Sequence, residues 1–362
     1  MLMVILGAGA SYDSYGSWPG GARAGGGRSG PIDPDDYRPP LTRDLFAEGP
    51  AVNATTLAIP ECAHWVGYMR RLLQERGERQ VESVEEILAN LAGSPDPNLS
   101  KRATLAISLF MQRMLTECQN AWTSTVTANV TNYGTLLADI AVAGVAEACF
   151  VSFNYDTLFE QALPTIGVTI DSLESYVTHP AYKVVNPHGS LNWAHELSPQ
   201  GITEFFGPPA DAARWLIAHA PEVNPPPDFK YFPTPRFAVS PSPAAGLWPA
   251  IALPVARKAD FECPKPHLDA LDACVPKVSK LLTIGWRDAE QHFLTRLAGK
   301  LPRTVSALVV GRDRKDAGEI AVTLNGAGLA GRFQSANGGF TESLRKEIPT
   351  FLAEQLPTRV GR

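Results

Sequence analysis

Four short stretches of this chain put glycine or polar residues where an apolar run ends. The first is Gly7-Ala8-Gly9-Ala10-Ser11, which follows Leu2-Met3-Val4-Ile5-Leu6. Glycines in a strand-to-helix turn let backbone amides approach a pyrophosphate, because no Cβ stands in the way. The third glycine of the dinucleotide fingerprint is missing, and Ser11 and Tyr12 stand there instead. The second stretch is Asn154-Tyr155-Asp156, after Ala148-Cys149-Phe150-Val151-Ser152. An amide can hold a ribose hydroxyl or a water without competing as a nucleophile, and a carboxylate can bond hydroxyls or brace the loop. The third is His188-Gly189, after Tyr182-Lys183-Val184-Val185. An imidazole, with an ordinary pKa near ~6.5, is the natural general base at neutral pH. The fourth is Gly285-Trp286-Arg287-Asp288, after Lys280-Leu281-Leu282-Thr283-Ile284. Each stretch alone also fits a plainer role: a tight turn without ligand, a helix cap, a loop histidine satisfied by its neighbours.

Strands alternating with helices must position these ends. The runs at 148–152, 182–185, 280–284 and 305–310, with a short one near 332–334, read as strands, and helices are expected from about Ala289, from about Lys315 and over about 341–354. That alternation predicts a parallel, doubly wound α/β sheet whose strand ends share one rim. Between the first and second strands, apolar residues recur at helical spacing: Trp65, Met69, Leu72 and Leu73; Val84, Ile87, Leu88 and Leu91; Leu136, Leu137 and Ile140. This predicts a helical insertion at about 55–145 with a structural role. Thr42 is placed to cap a helix beginning near Arg43. Residues 16–30 hold seven glycines and are expected to form a loop, either a disordered insertion or a lid. Residues 195–260 are expected to be an irregular excursion, with a hairpin around 250–254, because ten prolines fall between Pro221 and Pro254.

Composition narrows the function. The net charge of −5 gives no basic excess, so direct nucleic-acid binding is not expected. Cys62, Cys118, Cys149, Cys263 and Cys274 form no CxxC pair, so no metal site is expected, and their odd, scattered placing suits a reduced cytoplasm. No apolar run reaches the roughly 20 residues of a membrane span.

Taken together, Gly7-Ala8-Gly9-Ala10-Ser11, Asn154-Tyr155-Asp156 and His188-Gly189 resemble the sirtuin family in type and order. Thr283-Ile284-Gly285-Trp286 is similar to the family's later strand-plus-glycine segment that contacts the cofactor. Ser152-Phe153-Asn154-Tyr155-Asp156 and Pro187-His188-Gly189-Ser190 look most like the prokaryotic sirtuin-like proteins of anti-phage defence. The likeness covers 1–46 and 148–193, less closely 280–313, and little of the two insertions. It departs in the four-cysteine zinc module: only Cys263 and Cys274 lie between His188 and Lys280.

The resemblance implies a Rossmann-like, sirtuin-type domain over 1–362. It implies NAD as substrate, with Asn154, His188 and Asp156 catalytic, and Gly7, Ala8, Gly9, Ser11, Thr42, Gly189, Gly285 and Trp286 around the cofactor. Without the zinc module, deacylation recedes and hydrolysis of NAD to nicotinamide and ADP-ribose comes forward. A free NAD hydrolase would poison its host. A gate is therefore expected: a homo-oligomer, or a defence partner such as an ATPase or an Argonaute-like protein. The alternatives are a module that senses NAD or ADP-ribose without turnover, or an ADP-ribosyltransferase or deacylase of the same fold.

Overall fold

The computed structural model describes residues 1–14, 37–75, 84–125, 131–197, 209–239, 246–254, 261–287, 290–302, 305–329 and 332–354 of the chain. The glycine tract at 16–30, Asp288 and Ala289 lie outside them. So does part of the proline-rich stretch.

Six strands form one parallel sheet: β1 (Leu2–Leu6), β2 (Ala148–Ser152), β3 (Tyr182–Val185), β7 (Lys280–Ile284), β8 (Ser306–Val310) and β9 (Arg332–Ala336). Their order is β3-β2-β1-β7-β8-β9. The chain builds outward from β1 to β3, then returns to the other side of β1 and builds outward again, which is the strand order of the Rossmann fold. Beyond the carboxyl ends of β1 and β7, where the direction reverses, such sheets leave a crevice.

The central strands β1, β2, β7 and β8 were legible because both faces of the sheet are covered there, so their runs are mainly apolar. Leu2, Val4 and Leu6 share one face with Phe150, Leu282 and Leu308. Helices α6 (Asn132–Val142) and α14 (Glu347–Ala353) pack there through Leu136, Ile140, Ile348 and Phe351. Met3 and Ile5 share the opposite face with Val151, Leu281 and Val309. That face is covered by α10 (Lys265–Cys274), α11 (Gln291–Leu297) and α12 (Arg314–Gly326). Asp313 starts α12 by accepting the N–H groups of Lys315 and Asp316 at 3.0 and 2.9 Å.

The insertion after β1 is helical: α2 (Pro50–Ala58), α3 (Pro60–Glu75), α4 (Val84–Ala92), α5 (Pro97–Thr125) and α6. Helices α2 to α5 build their own core from residues such as Phe46, Met69, Leu88 and Phe110. The helix expected from Thr42 is instead a single 3-10 turn, Thr42–Asp44.

Two further expectations need correction. The stretch at 195–260 contains α9 (Pro209–His219) and belongs to a small antiparallel sheet of order β5-β4-β6. In it, β4 is Gly189–Glu196, β5 is Lys230–Tyr231 and β6 is Leu247–Ile251. The prolines permit this because α9 ends before Pro221, and Pro249 lies on an edge strand, where a missing N–H costs no ladder bond. Strand β4 begins directly after His188. Last, the final helix is two helices, α13 (Gly339–Ser343) and α14. Pro349 is tolerated only in a first turn, so a new helix must begin just before it. Short helices α1 (Ala8–Tyr12), α7 (Leu158–Ala162) and α8 (Ser175–Thr178) complete the fold. Among the described residues no helix is long and apolar enough to cross a membrane.

The turns after β1 and β7 meet backbone to backbone. Gly7 N–H donates to Ile284 O and Gly9 N–H to Gly285 O, both at 3.0 Å. A Cβ on Gly7 would fall 2.4 Å from Trp286 Cα, and one on Gly9 would fall 2.8 Å from Gly285 Cα. Gly285 has φ +59°, and its Cβ would fall 2.3 Å from Ala10 N. Gly285→Ala is therefore expected to destabilise the chain by about 2 kcal/mol or more, from left-handed strain plus a backbone clash. Urea denaturation of the variant beside the parent measures this.

Candidate functional site

The three expected polar stretches lie together at the carboxyl rim of β1, β2 and β3. Ser11, the fourth residue of α1, is buried. Its Oγ lies 2.8 Å from Tyr133 Oη, and Asn154 Nδ2 donates to Ser11 Oγ at 2.9 Å and to Tyr133 Oη at 3.1 Å. Asn154 is 4% exposed, and its Oδ1 is buried without a hydrogen-bond partner. Asp156 accepts the Leu158 N–H at 3.1 Å, so it caps α7. Burial pushes the Asp156 carboxyl above its ordinary range, while the Ser11 hydroxyl and the Leu158 N–H pull it back. Asp156 is thus the brace of the loop as well as a neighbour of Ser11.

The insertion holds this loop in place. Gln119 of α5 accepts from Thr157 N–H at 2.8 Å and from Thr157 Oγ1 at 3.1 Å. Tyr133 comes from α6, whose cap is Thr131, accepting the Gly134 N–H at 3.2 Å. On the far side, Asp13 takes the Thr341 N–H at 2.9 Å and ties the end of α1 to α13.

His188 sits on the link between β3 and β4, and its backbone is clamped. Ala252 N–H donates to His188 O and Glu262 N–H to Pro187 O, both at 3.0 Å. Gly189 has φ +79°, and a Cβ there would fall 1.9 Å from Ala250 O, so only glycine fits. The imidazole is buried between two rings: Phe153, edge-on at 4.9 Å between centroids, and Tyr155, stacked at 6.1 Å. Its Nε2 is 3.0 Å from Glu290 Oε1, and the other oxygen of Glu290 is 3.6 Å from His292 Nδ1. A carboxylate so placed orients an imidazole.

Phe153 and Tyr155 face His188, while Asn154 between them faces Ser11 and Tyr133. The two candidate catalytic side chains therefore flank one short segment of main chain. Beneath the His188 link lies a buried carboxyl. Glu160 of α7 accepts from Asn186 Nδ2 at 2.7 Å and from Tyr176 Oη at 3.3 Å.

The remaining expected residues divide. Ala8 and Gly9 are half-buried at the rim. Gly7, Gly9 and Gly285 owe their missing Cβ to the meeting of the two turns. The Trp286 ring is buried and packs on Phe153 at 5.9 Å and Phe293 at 6.2 Å. The Thr42 carbonyl takes the Leu45 N–H, and no side-chain bond among the described residues joins Thr42 to the Ser11 cluster. Sequence reading missed Tyr133, Gln119 and Glu290. Tyr133 carried a signal: it falls in register with Leu136, Leu137 and Ile140 on the core stripe, and a core tyrosine needs a partner for its hydroxyl. Among the described residues no group of three or more His, Cys, Asp or Glu could hold a metal.

No family model and no curated protein matches the chain. Among solved structures, a mutant Sir2 homologue in complex with 2'-O-acetyl ADP ribose is similar at TM-score 0.44 and 13% identity, over 99% of this chain and 94% of that one. A Sir2 homologue in complex with NAD is similar at TM-score 0.39 and 13% identity, over 97% and 88%. Likenesses this distant carry no argument, and the Rossmann-type order rests on the sheet itself.

Burial pushes the Glu160 carboxyl up from 4.5 to about 7, against the lowering bonds from Asn186 and Tyr176. A carboxyl raised on folding stabilises the native state only while protonated. That contribution is full below pH 4.5 and is lost as pH rises through about 7. By linkage the loss is about 3 kcal/mol. Glu160→Gln keeps an oxygen for Asn186 and cannot ionise. Its stability relative to the parent should rise between pH ~5 and pH ~8, as read by urea denaturation at each pH.

Proposed function

We propose that this chain hydrolyses NAD to nicotinamide and ADP-ribose. The single observation that carries the reading is the buried Asn154, tied on its amine side and with an unmatched carbonyl oxygen, and, across the same short segment of main chain, a buried His188 paired with Glu290, both at the carboxyl rim of a Rossmann-type sheet. A pure structural cap would have no need of the buried imidazole and its carboxylate. The sirtuin-like order of the motifs supplies the substrate.

The bond between the ribose C1' and the nicotinamide nitrogen breaks, and its electron pair neutralises the pyridinium, releasing nicotinamide. Positive charge grows on the ribose. A water oxygen forms the new bond to C1', and its proton passes to the His188 imidazole, directly or through a ribose hydroxyl. Glu290 stabilises the imidazolium that results. Asn154 Oδ1 accepts a hydrogen bond from the water or hydroxyl and so aims it. General-base help of this kind is worth roughly 10²–10⁴-fold.

The whole chain is read as one NAD-binding unit, with the α2–α6 insertion as its support. The wording around Asn154 and His188 suggests a cytoplasmic effector of anti-phage defence, kept silent until infection by oligomerisation or by a partner such as an ATPase or an Argonaute-like protein. The five cysteines are all free and buried, which suits a reducing compartment.

Purified protein, alone and with the products of neighbouring genes, is incubated with NAD and nicotinamide is followed. Release by the parent is expected, with His188→Ala and Asn154→Ala each slower by roughly 10²-fold or more, assayed well below the melting temperature of each variant so that all are folded. No release in any state, with the parent equal to both variants, would sink the reading.

A further inference from the structure

The inserted helices reach the centre of the site through one hydroxyl. Tyr133 is wholly buried, and its ring is held against Phe159 at 5.6 Å and Phe340 at 5.7 Å. Its oxygen closes a triangle with Ser11 Oγ and Asn154, all three sides between 2.8 and 3.1 Å.

The protons of this triangle can be counted. An amide has two N–H donors and one carbonyl acceptor, and each hydroxyl has one proton and two lone pairs. With Nδ2 facing the hydroxyls, its two protons go to Ser11 Oγ and Tyr133 Oη. The Ser11 and Tyr133 hydroxyls share the third bond, at 2.8 Å, which either can donate. Both amide protons then have acceptors. Burial holds the Tyr133 phenol well above its ordinary pKa, so its proton stays in place. With the amide turned round, Oδ1 would draw the protons of both hydroxyls. The Tyr133–Ser11 bond would go, and two N–H donors would be buried where Oδ1 now has no partner.

We infer that Tyr133, with Ser11, is a positioning residue that fixes the Asn154 amide so that its carbonyl oxygen, not its amine, meets the ligand. At that point the site offers an acceptor. It selects groups that bring a proton: water, a hydroxyl or a carboxamide N–H. The helical insertion thereby takes part in the chemistry. The orientation stands on the geometry alone, and its effect on turnover rests on the NAD reading.

Tyr133→Phe keeps the ring and its packing, and Ser11→Ala removes the other hydroxyl. In ¹⁵N-labelled full-length protein, the Asn154 side-chain amide pair is identified by its loss in Asn154→Asp. In Tyr133→Phe one proton of the pair should shift and exchange with solvent about tenfold faster, while backbone amides beyond the cluster stay put. An unchanged pair overturns the orientation, whether or not the chain acts on NAD. With NAD, Tyr133→Phe and Ser11→Ala should each lower kcat by about tenfold or more and leave KM within about twofold. Parental kcat in both variants overturns the positioning role. A parent that releases no nicotinamide defeats the NAD reading, and the amide spectrum still decides the orientation.

Discussion

The turn after β1 and the turn after β7 lie so close that their backbones touch, and no side chain fits between Gly7, Gly9 and Gly285. The contact sits where the strand order reverses. It sets the start of α1, and with it Ser11. It also sets where Trp286 lies, and Trp286 backs Phe153, which in turn backs His188. A small error in this contact would reach both halves of the candidate site. Glycine in such a turn is commonly taken as room for a phosphate. In this chain the room is filled by protein, and a ligand would meet the half-buried edge at Ala8 and Gly9 instead.

Two kinds of support converge on the rim. The sheet supplies position through strands whose ends lie level in register. The peripheral elements supply orientation. Gln119 and Tyr133 come from the inserted helices, Glu290 from the approach to α11, and Ala252 and Glu262 from the segments that clamp the His188 link. Gln119 and the two backbone clamps hold the loops that carry Asn154 and His188, while Tyr133 and Glu290 meet the side chains themselves and bear on which atom each presents.

That division explains what could be read from the sequence. Strands β2, β3 and β7 were legible to the residue because a strand covered on both faces reads as a mainly apolar run, broken in β3 and β7 only by Lys183, Lys280 and Thr283. Ser11, Asn154, Asp156 and His188 were legible because they stand directly after such runs. The small sheet was not. In β4 apolar and polar residues alternate, but all but its last residue are buried, and its partners lie beyond a proline-rich stretch that reads as irregular. Tyr133 and Ser11 are 122 positions apart, and periodicity reports only that Tyr133 faces inward, not which hydroxyl it meets. Glu290 had no local signature, since a carboxylate before a helix is ordinary. Thr42 was read from a capping pattern, and the chain there closes into a single tight turn.

The alternation along Phe153, Asn154 and Tyr155 has a consequence for how such a chain can diverge. Successive side chains on an extended segment point to opposite sides, so the loss or gain of one residue between β2 and Asp156 would exchange the two sides. The carboxamide would swing into the aromatic cage around the imidazole, and a ring would enter the polar cluster. Length in this segment is therefore more constrained than residue type: descendants can substitute within each side, but they cannot slip.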